Sequence, residues 1–508
     1  MIVQGSEFPI NAKVQLNKTV YKESKASPID SAHIPKKDSV YDSYGNLLNE
    51  DIVYYPKFPL WIPIAEIVEC NLCQNLLDDY LFRLPFNRVG FKSWSQNLKS
   101  GFPWNKGWWW DENRFGINFL YNPINGSTYY NIARTNGYNF WESIPFVVGG
   151  AYMWKIFGGT EKPERADLIN STTDGIFLGE IMYRVSSNIL DDRTTGVERV
   201  GREFLAFLVD PTRGMNRIFH AQTWRITHKE VFEKEPLSVS LSSGIRFANN
   251  GVNFGSGPAN PIFNARFDYG NPFDNRDWKP FDIFKFRAEF NFGVGRKIID
   301  NLIGYGILNG TNRQYGNLEV LYGLFLNYDY WDNKVFELGT SAITAGIMTR
   351  WNLSDKSNLY TKLHLGFVPL AGNSALLSPD TSQYRDYDFG TGMEGQFEST
   401  LNIGQYLSFT IADYFYLIHT FNAPQPEALA SEGQGIAQNV QYPVNGNNLT
   451  DIFCPRIAIR LMGNLKIGME EVVYYSNIYT FNSEVIHRKE SQQKIYLTFS
   501  IEDFHQHK

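Results

Sequence analysis

Residues 284–294 read FKFRAEFNFGV. Phe284, Phe286, Ala288, Phe290, Phe292 and Val294 share one parity, and Lys285, Arg287, Glu289, Asn291 and Gly293 share the other. A strand sends alternate side chains to opposite faces, so this segment has one apolar and one charged face. The two-residue beat returns through the C-terminal half. Leu237, Val239 and Leu241 oppose Ser238, Ser240 and Ser242, and Phe263, Ala265, Phe267 and Tyr269 oppose Asn264, Arg266 and Asp268. Leu318, Val320, Tyr322, Leu324, Leu326 and Tyr328 oppose Glu319, Asn327 and Asp329, and the beat recurs over 359–367, 397–403, 456–461 and 494–502. An aromatic apolar parity opposite one carrying Lys, Arg and Glu fits a wall between lipid and a wet interior better than a soluble sandwich.

The runs predict an all-β fold with α insertions, an antiparallel transmembrane β-barrel of about twelve strands with an N-terminal α-rich plug or cap. Turn signals such as Gly295-Arg296 and Gly463-Asn464 alternate with longer Pro-, Gly-, Asn- and Ser-rich gaps over 371–387 and 421–451. Tight turns at one end and long loops at the other are the pattern of an outer-membrane barrel. Phe504 stands near the chain end as a terminal aromatic, off the parity of Ile495–Ile501.

Composition agrees. Aromatics make up 16% of the 508 residues, and hydrophobic residues only 43%. The longest strongly apolar stretch, 143–154, falls short of the ~18 residues a spanning helix needs. Net charge is −6, from 47 Lys plus Arg against 53 Asp plus Glu, which gives no footprint for nucleic acid. Residues 1–9 show neither a basic n-region nor an apolar h-region, so an exported chain of this kind is expected to have lost its signal peptide. The expected location is the outer membrane of a Gram-negative bacterium.

Three regions follow. Residues 1–55, broken by Pro9, Pro28 and Pro35, read as an extended polar arm, either a free terminus or a strap on a partner. Residues 56–230 form a mixed, α-rich domain packed in or on the barrel, and residues 231–508 the barrel itself. Within the middle region, Trp104, Trp108, Trp109 and Trp110 mark a packed corner or an interfacial belt. Segments 140–157 and 167–190 read as helices, the first kinked or restarted at Pro145, the second capped by Asp167. Gly149, Gly150, Gly175 and Gly179 would weaken these helices but permit close packing. Cys70 and Cys73 are read as two small residues on a helix or as a local disulfide; a zinc site lacks further ligands.

One segment resembles a family of uncharacterised Bacteroidota envelope proteins, a domain of unknown function found with outer-membrane barrels. The matching residues are Trp108–Asp111, Phe115, Asn118, Asn122-Pro123, Gly126-Ser127, Tyr129 and Tyr130, then Ala133–Gly137, Phe140–Ser143, Asp167–Ile169, Thr172-Thr173, Gly175 and Leu178–Glu180. Members of that family carry a histidine where this chain has Asn122, which cannot titrate near neutral pH. The resemblance transfers no activity.

Glu142, Ser143 and Glu180 are the candidate catalytic set, as in a lipid acyl hydrolase. Acyl transfer needs a base within reach of its serine, and the nearest downstream histidines are His220 and His228. The competing reading is a structural polar network of Asp111, Asn118, Asn122, Arg134, Asn136, Glu142 and Glu180, with Arg134 paired to Glu142 or Glu180. Asp386 and Asp388 are too few to argue a calcium site. No cofactor or metal is expected. Arg266, Lys285, Arg287, Glu289, Arg456 and Arg460, with Glu319, Lys362, His364 and Glu398, are expected to face the lumen. Their mixed signs predict salt-bridged filling around an inserted 111–230 segment rather than a selective pore. The expected function is a non-enzymatic structural or accessory subunit of an envelope assembly or transport complex, with outer-membrane lipid and protein partners. A lipid-active enzyme and a narrow channel are the alternatives.

Overall fold

The computed structural model describes residues 57–81, 88–101, 113–160, 162–249, 257–293, 298–333, 337–374, 387–421, 446–480 and 485–501. The polar arm, the Trp104–Trp110 cluster, Asp111, Gly295-Arg296, Asp386 and Phe504 lie outside them.

Twelve strands close into one antiparallel barrel: β1 (Leu237–Asn249), β2 (Ala259–Tyr269), β3 (Phe284–Asn291), β4 (Ile299–Tyr315), β5 (Leu318–Asp332), β6 (Glu337–Ser354), β7 (Ser357–Ser374), β8 (Asp388–Ile403), β9 (Leu407–Phe421), β10 (Gly446–Met462), β11 (Leu465–Thr480) and β12 (Val485–Ile501). Each pairs with its neighbours in sequence, and β1 pairs with β12, so every strand edge in the wall is used. In lipid only helices and closed barrels satisfy all backbone groups. Gly316, Gly404 and Gly463 hold φ of 59°, 59° and 49° in the turns β4–β5, β8–β9 and β10–β11, where the left-handed backbone favours glycine. The long connections at the other end are 375–387 and 422–445, shorter than the sequence gaps because β7 reaches Ser374 and β10 begins at Gly446.

The apolar parity faces outward. Leu241, Ile245, Ile343, Ile347, Leu363, Leu365, Phe367, Phe409, Ile457, Ile459, Leu497 and Phe499 are exposed although large and apolar. A surface of this kind belongs in hydrocarbon. The chain therefore has the fold of an outer-membrane barrel.

Among the described residues ahead of the barrel are seven α-helices: α1 (Trp61–Leu76), α2 (Phe91–Ser100), α3 (Asn122–Thr135), α4 (Phe140–Phe157), α5 (Arg165–Ile189), α6 (Gly196–Val209) and α7 (Pro211–Phe219), with π-helical turns at Leu77–Leu81 and Ile117–Tyr121. Pro145 lies inside a continuous α4, near its start. Asn139 caps that helix by accepting from the Glu142 backbone N–H, and Glu142 returns the bond to the Asn139 N–H. α5 starts two residues before the expected cap, so Asp167 sits in its first turn. α3 and α5 approach closely at Gly126 and Gly175. A Cβ on Gly175 would come within 2.7 Å of the Gly126 Cα, and one on Gly126 would overlap the Ser171 carbonyl. Gly179 makes the same allowance for the Tyr130 ring, and Gly150 for Tyr129, whereas Gly149 faces open space.

Of the two placements expected for this region, in or on the barrel, the structure shows the second. Phe119 rests on Gly339 of β6 and Gly372 of β7, where a Cβ would overlap its ring. Phe177 lies against Gly304 of β4 and meets the Tyr328 and Phe286 rings at a tilt. Phe281, from the β2–β3 connection, covers Gly306 and meets Phe140 and Phe177 at 5.6 and 5.5 Å. Gly304, Gly306, Tyr328, Gly339 and Phe286 are all on the outward parity, opposite lumen residues such as Asp329, Lys285 and Arg287. α5 thus crosses the outer wall, from Asn170 near Phe119 at β6–β7 to Asn188, which donates to the Glu235 carbonyl ahead of β1. The expected insertion of 111–230 into the lumen is corrected: its described residues seat on the outside, because outward glycines on β4, β6 and β7 leave a groove there.

Candidate functional site

The lumen is the first candidate, because charge concentrates there. Lys494 of β12 donates to both carboxylate oxygens of Glu289 of β3, at 2.7 and 2.8 Å, and lies 3.3 Å from Glu470 of β11. Arg287 of β3 reaches Glu289 at 2.8 Å and Glu470 at 3.0 Å. Arg456 of β10 pairs with Glu398 of β8 at 3.0 Å, and Lys285 of β3 comes within 3.5 Å of the same carboxylate. Four strands separate β3 from β8 in the shorter direction round the wall, so these bonds cross the interior. Arg266 pairs along its own strand with Asp268 at 2.8 Å. Arg460 shares the lumen parity on β10, and Glu319 pairs with Arg350 near the β4–β5 turn.

Polar links continue away from this layer. Lys362 donates to Gln396 at 2.8 Å, and Gln396 and Tyr416 donate to Asp329 at 2.8 and 2.7 Å. Asn327 and Thr340 donate to Glu394. His364 lies flat on Phe325, ring centroids 4.2 Å apart, with both ring nitrogens buried and without a hydrogen bond. Hydroxyl pairs such as Ser240–Ser500, Ser242–Thr498 and Thr400–Thr410 share the interior with two apolar clusters. Trp331, Tyr414, Ile452, Cys454, Val472 and Tyr474 fill one part, and Trp278, Tyr305, Phe325 and Met348 another. Glu289, Glu470 and Lys494 are each at most 2% exposed. Side chains of the wall, joined by Trp278 from the β2–β3 connection, fill this interior, rather than the described residues of 111–230.

Sequence reasoning missed the lumen groups Glu470 and Gln396, and left Arg246 and Lys494, which alternation sets on the polar parity, out of the lumen charges. Arg246 pairs with Asp300 and is fully buried. The signal that could have found Glu470 and Lys494 is their charge at alternate positions within apolar strands, the same signal that found Glu289.

The second candidate is the helical network. Glu180, fully buried on α5, receives Arg134 Nε at 2.8 Å and Nη2 at 3.0 Å, the Tyr130 hydroxyl at 2.7 Å and Arg184 Nε at 2.7 Å. Arg184 continues to Asp282 at 3.0 Å, tying α5 to the β2–β3 connection. Burial alone would raise the Glu180 carboxyl, but Arg134 and Arg184 outweigh it and hold the group below its usual range. Of the two partners expected for Arg134, the structure selects Glu180. Glu142 instead bonds Lys57 and caps α4. Asn118 donates to the Tyr387 hydroxyl and Asn170 to the Asn118 carbonyl, while Asn122 donates to Asn118 and Asp167. Asn136 donates to Glu66. Asp174 differs from the rest: it is buried beside Tyr328 with only Thr173 as hydrogen-bond donor, and burial pushes it up to about 8.

Ser143 is fully buried, and its hydroxyl donates to the Asn139 carbonyl at 2.8 Å, a bond within its own helix. Glu142, Ser143 and Glu180 therefore serve three separate sets of partners. Cys70, Cys73 and Cys454 are free thiols, and burial pushes Cys70 up to about 11, away from reactivity. Among the described residues no cluster of His, Cys, Asp or Glu has the arrangement of a metal site.

Residues 107–212 match the family described as Domain of unknown function (DUF3943). No curated protein matches the chain. Among solved structures, an outer membrane channel from Pseudomonas putida F1 is similar at 8% identity and a TM-score of 0.29, over 53% of this chain and 97% of that one. The NanC porin is similar at 9% identity and 0.26, over 51% and 98%. The outer membrane channel DcaP of Acinetobacter baumannii follows at 8% and 0.22, over 53% and 96%. At these scores the likeness assigns neither substrate nor conduction to this chain.

Proposed function

We propose that this protein is a non-conducting, non-enzymatic barrel of the outer membrane of a Gram-negative, Bacteroidota-type envelope, serving as a structural or accessory subunit of an assembly or transport complex. One observation carries the reading: ion pairs from β3 to β8, β11 and β12 cross the lumen, and Glu289, Glu470 and Lys494 among them are buried. An aqueous pore needs a wetted path lined by accessible polar groups. The helical region supports the same reading. A layer bonded to the outer wall is suited to present a surface, and Ser143 has its hydroxyl committed to a backbone carbonyl. The polar arm of residues 1–55 adds a segment suited to strapping a partner.

The test is purification from gently solubilised membranes. Stoichiometric protein partners are expected; a lone monomer with an intact barrel would count against the accessory role.

A further inference from the structure

The helical region is inverted relative to a water-soluble bundle. On α6, Val197, Val200, Phe204, Leu205 and Leu208 point outward, and Val200 and Phe204 are 68% and 60% exposed. Arg199 of the same helix turns inward to Asp192 at 3.1 Å and Glu203 at 2.9 Å. Arg217 of α7, 2% exposed, joins the same two carboxylates at 2.7 Å each, while its neighbours Ile218 and Phe219 are exposed. α1 shares the exposed apolar side without the buried charge. Trp61, Ile64, Val68, Leu72 and Leu76 lie three or four residues apart on that side, which also carries Glu69, while Pro63, Ile67 and Asn71 are buried. In water, long charged side chains stay outside and large apolar ones go in. Here the opposite holds on α6 and α7.

The helical layer that carries these faces is seated beside the barrel's own belt. Leu324 of β5 is 49% exposed, and Leu326, one step along the same face, is covered by the helices at 9%. On β7 the same border falls between Phe367 and Leu370. The covering layer thus begins where the lipid-facing wall stops. None of these helices is long and apolar enough to cross a membrane.

From the inverted charge and the shared border we infer that the outer faces of α1 and α6 are immersed in the acyl chains of the bilayer. The helical region is then a second lipid-contacting layer wrapped on the barrel, with its arginine–carboxylate cluster shielded behind it. Shielding suits the cluster, since charges in hydrocarbon survive only when paired and turned inward. The inference rests on the barrel reading above, and the test separates the two.

Full-length protein with Cys70→Ala, Cys73→Ala and Cys454→Ala is given a single cysteine by Leu72→Cys, Val200→Cys, Phe204→Cys, Leu363→Cys or Lys356→Cys. Each is nitroxide-labelled in phosphatidylethanolamine–phosphatidylglycerol vesicles. Collision rates are read with oxygen, which concentrates in lipid, and with a polar nickel chelate. Positions 72, 200 and 204 should match Leu363 on the belt, with oxygen dominating, while Lys356 in the β6–β7 turn shows the reverse. Nickel dominance at 72, 200 and 204 with a normal Leu363 overturns this inference alone, assigning the face to water. Low rates with both probes there overturn it in favour of a second copy or a protein partner. Nickel dominance at Leu363 as well overturns the membrane barrel itself.

Discussion

Arg287 on β3 and Glu470 on β11 meet at 3.0 Å, although β12, β1 and β2 stand between them in the wall. Two side chains so far apart round the barrel touch only if the interior is narrow and occupied. The same geometry brings Lys494 to Glu289 and Lys285 to Glu398. The barrel is braced from inside by charges that cancel locally.

Breaking one brace should cost more than removing the pair. Glu289→Ala strands Lys494 and Arg287 in a buried setting and should destabilise the barrel by about 3–5 kcal/mol. The double variant Glu289→Leu with Lys494→Leu should recover most of that loss, because apolar replacements of similar volume remove the desolvation cost of both charges. Urea titration of the heat-modifiable folded band checks both; equal losses would contradict the network.

Gly372 and Gly339 form the seat of Phe119. Gly372→Val suits a strand but fills that seat, so the barrel should persist while the helical layer loosens, at about 1–3 kcal/mol of overpacking. Limited proteolysis should then cut within 113–219 while the folded barrel band remains. Unchanged protection would contradict docking on the outer wall.

Asp174 gives a pH signature. Its carboxyl is held at about 8, above the 3.8 of a free aspartate, so the folded state keeps its proton while the unfolded chain releases it. Stability from this group is fully present below about pH 3.8, falls as pH rises, and is lost by about 8. Asp174→Asn should remove that slope and stabilise the protein at pH 8 by an amount on the order of a few kcal/mol. Urea midpoints of the two proteins across pH 5–9 check it; parallel curves would contradict a neutral buried Asp174.

Ser143→Ala removes one bond within α4 and should cost about 1 kcal/mol or less, with an unchanged membrane lipid profile. A changed lipid profile at normal barrel levels would revive the acyl hydrolase reading.

The barrel was legible wherever one strand face is apolar and the other polar, as in β1, β2, β3, β5 and β12. It was hard to read in β9 and β11, where Tyr414, Tyr416, Ile418, Val472 and Tyr474 make the lumen face apolar too. β4 was obscured by Gly304 and Gly306, which thin its outward face, and by Gly310, which a bulge turns to the lumen. Gly304 and Gly306, with Gly339 and Gly372, were the sequence trace of the helical layer outside. Their meaning depends on strand register, which alternation alone does not supply. The same is true of the lumen. Alternation put Lys285, Arg287 and Glu289 inside, but only the closed circuit of strands shows which carboxylates they meet. The pairing of Arg134 with Glu180 was half legible, because the helix periodicity left Glu142 an equal partner until the Asn139 cap claimed it.

The central claim is that the barrel's own side chains close its lumen. Single-channel recording of the full-length protein in a planar bilayer tests it most directly. Folded barrel with insertion confirmed should give a flat baseline at ±100 mV; steady, large conductance steps would mean an open lumen instead.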